Sequence, residues 1–169
     1  MVFVAGIIGS ELAPTKSLST LPVATIVVGT ALSVIPVIRL MSIFGRKKVF
    51  LSACIYSILL IGLCIFSISE EIFFLFSFAS FCLGATVATM MQFRFAAIES
   101  VNQDQRASAT AVVLLGGLIS AFLGTEIATI GKSILDTEFV GSFLLLALLF
   151  IIAFVLMFFF EPAVKFKEQ

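Results

Sequence analysis

The sequence predicts an all-α protein, a polytopic bundle of transmembrane helices. Three observations lead there. Of the 169 residues, 61% are hydrophobic, against roughly 45–50% in globular domains. Only 12% are charged and mean hydropathy is +1.25, so at this length too little polar surface remains to cover a water-soluble core. The apolar residues also gather into five long runs, each able to cross about 30 Å of hydrocarbon at about 1.5 Å per helical residue. The same composition excludes disorder. A β-barrel would need alternating runs of about ten residues, and there are none.

Met1–Gly9 comes first. It is apolar, but nine helical residues extend only about 13.5 Å. It lacks the basic start and the small-x-small site of a signal peptide. It reads instead as a partial helix, the outer end of one whose beginning lies elsewhere. Leu21–Met41 is the first full span, opened by Thr20 and by Pro22, whose missing N–H costs nothing in a first turn. Pro36 falls inside this span and should kink it. Val49–Ser69 and Ile72–Phe93 follow. Ala107–Ile130 is ended by Gly131, and Phe139–Phe160 by Glu161-Pro162. Residues 1–160 thus form one helical bundle and 161–169 a tail.

Lysine and arginine set the expected orientation. One set of flanks holds Arg39, Arg46, Lys47, Lys48, Arg94, Arg106, Lys165 and Lys167, and the other only Lys16 and Lys132. Eight against two places the 42–48 loop, the 99–106 loop and the tail in the cytoplasm. The opposite loops carry Glu11, Glu70, Glu71, Asp136 and Glu138.

Composition also narrows the chemistry. Ten basic residues balance ten acidic ones, so nothing points to nucleic acid. Histidine is absent, which removes the commonest metal ligand and neutral-pH base. Cys54, Cys64 and Cys82 lie in apolar runs without a C-x-x-C pair and read as buried thiols. Neither a metal nor a cofactor is expected. No nucleophile–base pair is visible, so an enzyme is not expected either.

Helices in lipid associate where small residues four apart let backbones approach. Three spans carry such a stripe: Thr25, Gly29 and Ser33; Ser80, Gly84 and Ala88; and Gly116, Ser120 and Gly124. Each stripe reads as helix packing, or as packing that also borders a solute path. Val49–Ser69 and Phe139–Phe160 carry large apolar residues and are expected at the periphery, facing lipid. Polar residues in the spans are the default place to look for function. Glu126 reads either as a solvated interfacial carboxylate or as a cavity or ion-coupling group. Gln92 and Arg94 close the inner end of the third span. They are candidate cavity residues, with a snorkelling arginine as the alternative.

The loop after the first span reads Arg39-Leu40-Met41-Ser42-Ile43-Phe44-Gly45-Arg46-Lys47-Lys48. Its glycine permits a tight turn and its cations anchor helix starts in an anionic leaflet. In context it resembles the loop between helices 2 and 3 of major facilitator superfamily transporters, of the form G-x-L-a-D-R-x-G-R-K. Leu40, Gly45, Arg46 and Lys47 match, while Ile38, Ser42 and Ile43 stand where the first Gly, the Asp and the following Arg would be. Ala96-Ala97-Ile98-Glu99 with Arg106-Ala107-Ser108-Ala109 looks like the helix 4–5 connection. Gly116-Gly117 through Gly124-Thr125 is similar to the helix-5 G-x-x-x-G-P motif, without its proline.

The resemblance implies the N-terminal six-helix half of such a transporter, with helices 2–6 complete and the first helix incomplete. It makes Gly45, Arg46, Lys47, Glu99 and Arg106 a cytoplasmic gating motif. Because the loop aspartate is missing, Glu99 has Arg46 and Arg106 as candidate partners. A solute site would lie near the midplane between two halves that rock against each other. The expected function is secondary active transport of a small solute in a bacterial plasma (inner) membrane. The expected partners are the lipid bilayer, an unknown small-molecule substrate and a second six-helix half, in the same polypeptide or another chain. The alternative is a non-transporting membrane scaffold or assembly protein derived from such a half.

Overall fold

The computed structural model describes residues 2–99, 101–132 and 139–159. Among these there are seven α-helices and no strand: α1 (Val2–Leu12), α2 (Leu21–Phe44), α3 (Arg46–Ser69), α4 (Phe73–Met90), α5 (Phe93–Glu99), α6 (Arg106–Lys132) and α7 (Val140–Phe159). Five segments are long and apolar enough to cross a membrane: Lys16–Phe44, Arg46–Ser69, Phe73–Glu99, Gln103–Lys132 and Val140–Phe159. The tail at 161–169, Asp136 and Glu138 lie outside the described residues.

Helix ends follow local chemistry more closely than they follow charge. α2 opens with Pro22 in its first turn and continues past Pro36 to Phe44. Ser42, Ile43 and Phe44 offer no breaker, so the helix absorbs residues expected in a loop. α3 then starts at Arg46. The expected seven-residue connection at 42–48 is therefore a single residue, Gly45. Gly131 likewise does not end the fourth span. It lies inside α6, where a Cβ would sit 2.6 Å from the Ser142 backbone nitrogen. The absent side chain lets α6 and α7 touch, and Ser142 Oγ donates to Ala128 O at 2.7 Å across the contact.

The tightest crossing joins α2 to α4. A Cβ on Gly84 would lie 2.6 Å from the carbonyl carbon of Gly29 and 2.7 Å from Ile26 O, and a Cβ on Gly29 would overlap the carbonyl oxygen of Phe81. The two backbones are in direct contact, as small-residue packing in lipid requires. Thr25 Oγ1 lies 2.8 Å from Pro22 O and 3.1 Å from Ser77 O, so its one proton serves its own helix and the neighbour. The stripes on these two spans thus pack on each other, with Gly29, Ser80 and Gly84 buried and Ser33 half-buried.

Burial elsewhere departs from expectation. α3 carries ten buried residues, because it is held between α4 on one side and α7 on the other. Its Ser57 hydroxyl reaches Ala53 O at 2.6 Å and the Thr86 hydroxyl of α4 at 2.7 Å. Large side chains fill these contacts, so their size gave no sign of a lipid-facing helix. α6 is the exposed one: Gly116, Ser120 and Gly124 lie on its surface, and a Cβ at either glycine would meet no atom within 4 Å. α7 buries its first turn and exposes most of the rest. One core gathers α1, α3, α4 and the start of α7 around Ile8, Ile61, Cys64 and Phe76. A smaller one, with Val37, Met41, Phe50 and Ala88, sits at the Gly45 end.

Candidate functional site

Gly45 makes the corner between α2 and α3. Its φ of 85° and ψ of 151° fall in a region of backbone space open essentially to glycine alone. Its N–H donates to Met41 O at 3.0 Å and its carbonyl accepts from Val49 N at 3.3 Å. One residue therefore ends one helix and begins the next. A Cβ there would meet nothing within 4 Å, so conformation, not space, demands the glycine.

The corner aims two consecutive cations at two different helices. Arg46 Nη2 lies 2.5 Å from Glu99 Oε1 at the end of α5, with the side chains 32% and 61% exposed. Lys47 Nζ donates to Phe158 O in the last turn described of α7 at 3.1 Å. One turn into α3, Phe50 stacks on Phe93, the first residue of α5, at 4.2 Å between centroids and 3° between planes. Charge and ring contact together join α3 to the segment that follows α4.

Beside this pair lies a cavity of about 170 Å³, lined by Ile38, Met41, Ser42, Arg46 and Gln92. Gln92 is 8% exposed and occupies the turn between α4 and α5. Ser42 Oγ donates to Arg39 O at 2.8 Å. A second, smaller cleft of about 80 Å³ is lined by Val4, Gly124, Ala128, Ser142 and Phe143 among others. It is almost wholly apolar.

The remaining sequence-derived candidates are scattered. Arg94 is exposed and is not among the residues that line the cavity, its guanidinium carbon 5.0 Å from the Phe95 ring centroid. Arg106 opens α6, exposed and, among the described residues, in no ion pair; Glu126 is exposed as well. Neither joins the Arg46–Glu99 pair. Among the described residues no three His, Cys, Asp or Glu side chains converge as a metal site would require. Sequence reasoning missed the Lys47–Phe158 bond, the Phe50–Phe93 stack and the buried Ser57–Thr86 hydroxyl pair. Only the last had a signal, two hydroxyls inside apolar runs.

Comparison with known proteins fits this arrangement. The profile of the Major Facilitator Superfamily matches residues 1–169. The riboflavin transporter RfnT of Brucella anthropi is 31% identical over 164 residues, covering 94% of this chain and 40% of its own length. The uncharacterized MFS-type transporter YdeG of Bacillus subtilis is 30% identical over 163 residues, covering 93% of this chain and 37% of its own. The chain thus spans about two fifths of the length of these relatives. No solved structure matches it significantly. The helical membrane bundle, the glycine corner and these matches lead to one conclusion: the chain is a membrane protein belonging to the Major Facilitator Superfamily.

Proposed function

We propose that this chain is one half of a secondary active transporter that moves a small organic solute by alternating access. The carrying observation is the uneven covering of the bundle. α3 and α4 hold much of the core, while α6 shows its small-residue stripe uncovered and α2 exposes Val27, Val28, Leu32 and Ile35. In a two-half transporter, such faces border a second six-helix half and the solute path between them. That half belongs to the same polypeptide or another chain. The eight-to-two bias of cations supports a cytoplasmic position for the Gly45 corner, the 99–106 connection and the tail, and the membrane in this reading is a bacterial inner membrane.

In this reading Gly45, Arg46, Lys47 and Glu99 form a cytoplasmic latch. Rocking bends the α2–α3 corner and makes or breaks the Arg46–Glu99 pair, while Arg106 stays solvated. Gln92 borders the cytoplasmic mouth, and Arg94 snorkels. Glu126 stands at the outer end of α6, a candidate for solute or ion entry. RfnT is named for riboflavin, so riboflavin is the first solute to test. Single cysteines at Ser33 on α2 and Ser120 on α6, in a full-length transporter lacking Cys54, Cys64 and Cys82, provide the experiment. Saturating solute should move their reactivity toward impermeant thiol reagents from one membrane face to the other. Reactivity indifferent to every solute, or equal from both faces throughout, contradicts alternating access.

A further inference from the structure

We infer that the cavity at the Gly45 end is a binding site for an oxyanion of the phosphate class, distinct from any midplane solute site. Gln92 is 8% exposed and lines the cavity, yet its side-chain amide has no hydrogen-bond partner among the described residues. Among the described residues no buried side-chain polar atom is left unsatisfied, so this unpartnered amide is not fully shut off from the surface, and the residue lines the cavity. Arg46 spends one terminal nitrogen on Glu99, and the rest of its donor fork remains for a planar or tetrahedral oxyanion, the shape it recognises best.

Among the described residues no carboxylate lines the cavity. Its walls are Ile38, Met41, Ser42, Arg46 and Gln92. Residues 39–48 bring Arg39, Arg46, Lys47 and Lys48 with no acid among them, and Glu99 neutralises one of these charges. The local field therefore favours an anion. The volume of about 170 Å³ accommodates a phosphate group with room for its first substituents, and Ile38 and Met41 supply an apolar wall beside the polar end. A phosphodiester headgroup and free phosphate present the same chemistry to Arg46 and Gln92. Occupancy would brace the corner between α2, α3 and the α4–α5 turn, since the cavity draws one wall from each.

The test uses the chain in nanodiscs of zwitterionic lipid, with two arms. In one arm inorganic phosphate is titrated and thermal unfolding followed. In the other, phosphatidylglycerol is added to the nanodiscs and retained lipid is counted by native mass spectrometry. Saturable binding in either arm is expected, weakened about tenfold by Gln92→Leu, the loss of a charge-assisted hydrogen bond. Arg46→Gln should weaken it further, and Lys16→Gln, an exposed cation on the opposite flank, should leave it unchanged. Binding in the phosphate arm assigns a free anion, and binding in the lipid arm alone assigns a headgroup. Gln92→Leu should unfold at the same temperature as the unmutated chain without ligand, which keeps its result interpretable if Arg46→Gln does not fold. Binding equal in the unmutated chain and Gln92→Leu, or absent from both arms, overturns the inference.

Discussion

Glu99 closes on Arg46, 53 residues away along the chain, with Oε1 2.5 Å from Nη2. It leaves Arg106, seven residues on, outside any ion pair among the described residues. Both partners are substantially solvated, and exposed pairs contribute about 0–1 kcal/mol. Glu99→Gln should therefore lower the unfolding midpoint little, whereas in a full-length transporter it should shift the balance of inward- and outward-open states. Arg46→Glu combined with Glu99→Arg should restore that balance. Equal thiol accessibility on both faces for Glu99→Gln and the unmutated protein would mean the pair is solvated decoration.

Gly45 gives a sharper test because space and conformation separate there. Nothing lies within 4 Å of a Cβ at this position, yet φ is 85°. Gly45→Ala and Gly45→Leu should cost about the same, roughly 1–3 kcal/mol of backbone strain, read by denaturation in detergent. In a full-length context both should slow transport while solute affinity stays nearly unchanged, since the corner lies far from a midplane site. A Leu variant much less stable than the Ala variant would show that hidden packing decides.

Two glycines on stripes of the same kind should behave oppositely. Gly84→Ala drives a methyl group against the Gly29 backbone, 2.6 Å away, and overpacking of this kind costs about 1–3 kcal/mol. Gly124→Ala meets nothing and should stay within about 0.5 kcal/mol, as surface changes do. Equal costs would mean α6 is covered in the isolated chain.

The uncovered α6 stripe should make the chain alone prone to self-association through Gly116, Ser120 and Gly124. Gly124→Leu should weaken that association by forcing backbones apart, measured by single-molecule colocalisation in dilute bilayers. Undiminished association would place the contact elsewhere.

The membrane class was legible because hydropathy is a sum over many residues. The α2–α4 crossing was legible because Gly29, Gly84 and their neighbours repeat every four residues, the spacing one helix face requires. The same kind of stripe on α6 is uncovered, since Gly116 and Gly124 encode a surface able to approach a neighbour but not which neighbour. α3 misled the other way: Leu60 and Ile61 look alike in lipid and in a core, and the sequence carries no term separating the two. The corner was half legible. Gly45, Arg46 and Glu99 stood out by motif, but a basic run said nothing of helices continuing to either side of one glycine. Nor could it say that Lys47 would find the carbonyl of Phe158, 111 residues away.

The central claim, that this bundle works as half of a transporter, is tested most directly by solute flux in proteoliposomes. The 169-residue chain is reconstituted at a dilution that keeps it monomeric, alone and together with a second six-helix half. Alone it should give no saturable flux, because alternating access requires two bundles about a shared site. With the second half it should give saturable, solute-specific flux that Gly45→Leu slows. Saturable flux from the monomeric chain alone would contradict the half-transporter reading and require a complete pathway within these helices.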